Sequence, residues 1–179
     1  MNAETLRDGI FSLNTRRLGT VAEVLVQRLV GLGKGRSLFH DLYDDVQNKR
    51  VEVKFSCVLK RSRIPVTKET VLQCIEDATG EQRMVAFANW QATTFDCNIQ
   101  QVKRAEFDVL YYGLFFSDLV VIFRINADEI GPQVFYSDKQ HKGNIGEGQF
   151  HINDKTLQVH RERYVYRKLA YRELLELLS

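Results

Sequence analysis

Proline is nearly absent, with two residues in 179, and no low-complexity tract or internal repeat interrupts the chain. That scarcity excludes a proline-rich disordered polypeptide. Cysteine is sparse too. Cys57, Cys74 and Cys97 are odd in number and fit neither a zinc spacing nor a disulfide framework. With no signal peptide evident, they point to a reducing cytoplasm, and Cys57, in an apolar strand-like run, reads as a buried thiol. No apolar run reaches the roughly 20 residues of a membrane helix. The longest, 107–123, contains Asp108, Ser117 and Asp118 and reads as two buried strands joined by a short turn. Strong net charge is also missing. The formal value is +2, too small to announce nucleic acid by itself. Basic clusters at Lys60, Arg61 and Arg63 and at Arg161, Arg163, Arg167 and Lys168 leave a one-sided charge distribution open, beside plain solvated surface.

What the chain does contain is an ordinary globular balance, 44% hydrophobic and 27% charged, long enough to bury one core without metal or disulfide. Leu18, Val21, Ala22, Leu25, Val26, Leu29 and Val30 recur at helical spacing and predict a helix over 15–32, capped by Asn14 or Thr15 and ended by Gly33. Ser37–Tyr43 and Arg50–Leu59 read as a hairpin around the polar segment 44–49. A helix is expected over 67–78, with Thr67 as cap and Val71, Leu72, Ile75 and Ala78 as its apolar face. Strands are expected at 83–90, 106–113, 118–126 and 150–152, and a last helix at 171–178. Residues 91–105 are ambiguous, and 136–149 read as a polar, glycine-rich loop.

The hairpin is the informative part. With its turn centred between Val46 and Gln47, Asp41 falls opposite Glu52 and Phe39 opposite Lys54. Opposed Cβ atoms lie roughly 4.5–5.5 Å apart, so the two carboxylates repel each other unless a cation lies between them. Mg²⁺ suits such a pair, because it takes one or two carboxylates plus water and substrate phosphate. In Val51-Glu52-Val53-Lys54-Phe55-Ser56, alternation puts Lys54 on the same face as Glu52, where its ammonium can hold a water or a phosphate oxygen. Those parts suit phosphodiester hydrolysis. A Glu-x-Lys triplet alone is also what the wet face of a strand looks like. Asp44 and Asp45 compete with Asp41, but fall in the expected turn, where aspartate serves local hydrogen bonds.

Phe39-His40-Asp41-Leu42-Tyr43 followed by Val51-Glu52-Val53-Lys54-Phe55-Ser56 resembles the PD-(D/E)XK nuclease superfamily, with His40 at the position where that pattern has proline. The ten residues between Asp41 and Glu52 fit its spacing, and the helix bearing Glu23 is similar to its opening helix, which often carries a further acid. The likeness covers about residues 15–60. It implies an α/β, restriction-endonuclease-like fold, a central mixed β-sheet flanked by helices. It implies a Mg²⁺ site, with Mn²⁺ able to substitute, formed by Asp41, Glu52 and the carbonyl of Val53. Lys54 would be catalytic and Glu23 an added acid, against its plain reading as an exposed helix glutamate. Cleavage would leave 5′-phosphate and 3′-hydroxyl ends.

On that resemblance the chain is expected to be a single nuclease domain over 1–179, with a catalytic core at about 15–126. A DNA-recognition loop and C-terminal helix would occupy about 127–179. Lys139, Gln140, His141, Lys142, Asn144 and Gln149 of the loop can contact bases or phosphates, though a plain surface loop has the same composition. Lys60, Arg61 and Arg63 are expected backbone contacts, and His151 and His160 are further phosphate candidates. The first expectation is a type II restriction endonuclease acting on double-stranded DNA as a homodimer, with a methyltransferase as companion and no membrane association. A DNA-repair or junction-resolving nuclease and a non-catalytic nucleic-acid-binding module stand as alternatives.

Overall fold

The computed structural model describes residues 1–62, 64–139 and 146–179. In chain order the elements are α1 (Ala3–Phe11), α2 (Thr15–Val30), β1 (Gly33–Lys34), β2 (Leu42–Asp44), β3 (Lys49–Cys57), α3 (Val71–Glu76), α4 (Gly80–Arg83), β4 (Asp96–Val102), β5 (Val109–Phe115), β6 (Leu119–Asn126), β7 (Gly148–Asn153), α5 (Leu157–Arg163), β8 (Val165–Ala170) and α6 (Tyr171–Leu178). Six strands form one sheet in the order β1-β2-β3-β5-β6-β8, and β4 pairs with β7 in a second, two-stranded sheet. The large sheet is mixed: β3 and β5 run parallel and the other neighbours antiparallel. The protein is α/β, with a mixed central sheet flanked by helices.

Strand alternation divides the interior in two. Val51 and Val53 of β3, Val109, Tyr111 and Phe115 of β5, and Val120 and Ile122 of β6 pack with Ile10, Ala22, Leu25, Val26 and Leu174 of α1, α2 and α6. The opposite face, with Leu110, Tyr112, Leu114, Val121 and Phe123, is covered by Cys97, Ile99, Phe150 and Ile152 of the small sheet and Leu157 of α5. All seven residues of β5 are buried, as befits a central strand with both faces covered. β8 is an edge strand of the large sheet and α6 joins the helical layer, so the C-terminal segment packs into the main core.

Several expected boundaries move. The α2 N-terminus is capped as read, the Asn14 side chain accepting from the Arg17 N–H at 3.1 Å. Its end is set by Gly31, left-handed at φ 79°, not by Gly33, which opens β1. β2 spans 42–44 where 37–43 was expected, and Phe39 is an exposed turn residue rather than the partner of Lys54. The helix expected over 67–78 shrinks to 71–76. Thr70 rather than Thr67 precedes it, and Leu72 and Ile75 face solvent. Only Met84 of the strand expected at 83–90 makes a β-bridge, to Leu59, and a 3₁₀ helix follows at Phe87–Ala92. Cys57 is half-buried and Cys97 buried, and burial pushes both thiols up to about 12.

His160 does not reach the surface. It is fully buried, its Nδ1 2.8 Å from the Tyr112 hydroxyl and its ring stacked on Phe150 at 5.7 Å. Burial pushes the imidazole down to about 4, so it is neutral at pH 7. It cannot contact phosphate. His151 is half-buried and sits 2.8 Å from Asp96.

Candidate active site

The β2–β3 hairpin has the register Leu42↔Val51, Tyr43↔Arg50 and Asp44↔Lys49, which, carried one step further, puts Asp41 opposite Glu52. The turn is closed by Asp44, whose carboxylate accepts from the N–H groups of Val46 and Gln47 at 3.0 and 2.9 Å. Asp45 pairs with Arg36. Both competing aspartates are therefore engaged in the turn region. Arg50 anchors the start of β3 to Asp108 through two guanidinium–carboxylate contacts and its own N–H, and these bonds hold the Asp108 carboxyl below its usual range.

Asp41 itself lies just before β2, at the end of a loop folded over the buried His40 ring. The Ser37 hydroxyl lies 3.0 Å from His40 Nδ1 and the Arg36 N–H donates to Nε2 at 3.2 Å. The Gly35 N–H donates to the Asp41 carbonyl at 3.0 Å. A Cβ on Gly35 would stand 2.2 Å from the His40 carbonyl oxygen, so only glycine fits this close passage.

Where β2 stops, the open edge of β3 is taken over by a side chain: Asp41 Oδ2 accepts the Val53 N–H at 2.9 Å. In an extended strand a residue's N–H and C=O project to the same edge, so the Val53 carbonyl faces that edge as well. Glu52 and Lys54 share one face of β3. Their side chains are hydrogen-bonded, and Lys54 Nζ is 3.9 Å from Asp41 Oδ2. Relative exposures of 12% for Glu52 and 24% for both Lys54 and Asp41 place the group in a recess that solvent still reaches. Burial, and secondarily the Asp41 charge, push Glu52 up to about 7 against the pull of Lys54. Glu23, half-buried on α2, is raised by burial and by the charge of Asp41, and lowered by Lys54, so it belongs to the same electrostatic cluster.

The acids and lysine open into a cleft of about 160 Å³ whose other wall carries Gln101, Lys103, Glu106 and Glu147. Sequence reading missed these four. Gln101 and Lys103 lie in the segment read as ambiguous, Glu106 at the start of the next expected strand and Glu147 within the glycine-rich loop, so all four are distant from β3 in sequence and meet its acids only in the fold. Lys103 Nζ is 3.6 Å from Glu106 and 3.5 Å from Glu147. Among the described residues no group of three His, Cys, Asp or Glu side chains is placed to hold a metal ion. A cation here would rest on Asp41, Glu52 and the Val53 carbonyl, a donor set that suits Mg²⁺ because water and phosphate complete its shell.

The expected DNA contacts separate into three groups. Lys60 and Arg61 are exposed but sit past the far end of β3, roughly 20 Å along the strand from Lys54, and border a different cavity of about 600 Å³. Arg61 is 3.8 Å from Asp96. Lys139 is exposed near the cleft-lining Glu147 in sequence, whereas the Gln149 amide is occupied, accepting from Asn98 at 2.9 Å and donating to the Lys139 carbonyl at 3.4 Å. Arg63, Gln140, His141, Lys142 and Asn144 lie outside the described residues.

No family model, no curated protein and no solved structure matches the chain. Among the described residues no helix is long and apolar enough to cross a membrane.

Proposed function

We propose that the chain is a Mg²⁺-dependent DNA endonuclease of the PD-(D/E)XK type that hydrolyses phosphodiester bonds to 5′-phosphate and 3′-hydroxyl ends. The observation that supports this reading is the convergence of Asp41, Glu52 and Lys54 on one strand edge, with Asp41 bonded to Val53 N–H and Lys54 between the two carboxylates. A lysine that balances two acids in a solvent-reached cleft has the parts needed for phosphoryl chemistry, and no nucleophilic side chain is required.

Asp41, Glu52 and the Val53 carbonyl would hold the cation, Mg²⁺ or Mn²⁺, which supplies a Lewis acid for a phosphate oxygen. Asp41 has a second duty, fixing the β3 edge through Val53 N–H. Lys54, released from Glu52, orients the attacking water and offsets charge on the phosphate as the bond breaks. Glu23 tunes the field around Asp41 and Lys54 from α2. Half-buried carboxylates side by side require a cation before phosphate can enter, which reconciles an acid-rich cleft with a polyanionic substrate.

The particular job proposed is that of a type II restriction enzyme: a homodimer cutting both strands of a specific site, with a companion methyltransferase. The loop running from Lys139 to Gln149 would read the bases. Digestion of mapped plasmid DNA with Mg²⁺, followed by end sequencing, tests this. Discrete fragments with one shared end sequence are expected. Cleavage only at branches or mismatches would assign a repair enzyme. Binding without cleavage would leave a nucleic-acid-binding module. Unchanged site preference in both Gln140→Ala and Asn144→Ala would discredit the loop as reader.

A further inference from the structure

We infer that Lys103 is a DNA backbone-phosphate contact on the cleft wall facing Lys54, aimed there by a β-bulge at Gln101; this rests on the reading that the cleft takes a DNA strand. Between Ile99 and Val102 the β4–β7 register slips. Ile99 pairs with Phe150 and Val102 with Gly148, so three steps on β4 answer two on β7. Gln101 absorbs the extra residue at φ 57°, a left-handed conformation that is unfavourable for a non-glycine residue. Such outliers persist where the surroundings hold them, often beside functional sites.

The bulge has a definite consequence for side-chain direction. Cys97 and Ile99 face inward by alternation, and after the extra residue Val102 faces inward as well. Without it, Lys103 would take the inward-facing parity. With it, Lys103 turns to the cleft, where it and Lys54 are the two lysines of the lining among the described residues. Lys54 is committed to Glu52 and Asp41. Lys103 contacts Glu106 and Glu147 at 3.6 and 3.5 Å, beyond the 2.7–2.9 Å of a tight charge-assisted bond, so a phosphate oxygen can compete for it.

The test is the salt dependence of binding of a labelled duplex in Ca²⁺, with wild type, Lys103→Gln and Lys103→Arg. Each phosphate contact contributes about 0.9 to the slope of log affinity against log salt. K103Q is expected to lower that slope by about 0.9 and to weaken binding about five- to tenfold at moderate salt, uniformly across sequences, while K103R keeps both. The triple variant E106Q/E147Q/K103Q, compared with E106Q/E147Q, guards against misfolding caused by two unbalanced glutamates. The same loss of slope is expected there. An unchanged slope in both comparisons, with only thermal stability moved, makes Lys103 a structural ion-pair partner and overturns the inference. Cleavage of the same DNA in Mg²⁺ is scored separately. No cleavage with a Lys103-dependent slope removes the nuclease reading and leaves this one standing; cleavage with an unchanged slope does the reverse. No binding by wild type removes both.

Discussion

The Asp41 carboxylate accepts the Val53 N–H at 2.9 Å, doing the work of a ladder bond where β2 has ended. One side chain thus closes a strand edge and supplies a candidate metal ligand. The two roles come apart in paired variants. Asp41→Asn keeps an acceptor and is expected to stay within about 0.5 kcal/mol of wild type. Asp41→Ala leaves the N–H unpaired and loses about 1–2 kcal/mol. Both abolish cleavage. Urea denaturation and plasmid digestion on the two proteins check this.

Glu52 is expected to weaken the fold it sits in. Its carboxyl is pushed up to about 7, first by burial and then by Asp41. An acid whose folded value exceeds its unfolded one destabilises progressively as pH rises from about 4.5 through about 7. Glu52→Gln should therefore gain about 3 kcal/mol at pH 8, little at pH 4, and lose cleavage. Denaturation at the two pH values reads the difference.

The same group is expected to set the acid limb of the proposed activity. Below about pH 7 Glu52 takes up a proton, and the rate should fall about tenfold per pH unit. Because a cation favours the ionised form, raising Mg²⁺ should move the limb to lower pH. A limb that ignores Mg²⁺ would separate Glu52 from the cation.

Gly35 meets Asp41 only through the backbone, its N–H donating to the Asp41 carbonyl, yet it decides where that carboxylate stands. Gly35→Ala would set its Cβ 2.2 Å from the His40 carbonyl oxygen. The 35–41 loop must shift, and cleavage should drop by about 10²-fold with affinity for DNA largely kept. Single-turnover rates set beside binding titrations distinguish this from general unfolding.

The buried His160 makes the protein acid-sensitive. Its folded value of about 4 lies below its ordinary 6.5, so its contribution is present above pH 6.5 and lost as pH falls toward 4. The loss amounts to about 3 kcal/mol. Comparing unfolding free energies of wild type and His160→Phe across that window should show the variant's slope flattened.

Much of this was legible in the residues. Leu18, Ala22, Leu25 and Val26 keep one helical stripe, and Glu52 and Lys54 alternate with Val51 and Val53, so α2 and the polar face of β3 follow from period alone. The buried hairpin of β5 and β6 announced itself as a run too short for a membrane. What stayed hidden depends on contacts between distant segments. The bulge at Gln101 breaks the period of two and blurs β4, which is why Lys103 and Glu106 were not connected with the cleft. β8 reads as a basic cluster because Tyr166, Arg167 and Lys168 lie on an exposed edge. Leu72 and Ile75 have helical spacing but no core beneath them, so their pattern promised a burial that does not occur.

The parallel pairing of β3 with β5 spans more than fifty residues of intervening chain, and Glu147 arrives later still. Long-range pairing of this kind forms slowly, and during synthesis it waits for the ribosome. A nascent chain that has emerged only as far as Lys54 holds the acids and the amine but has neither the parallel neighbour nor the opposing wall. The cleft is therefore assembled only once synthesis has passed Glu147, and products truncated before that residue should be chemically silent.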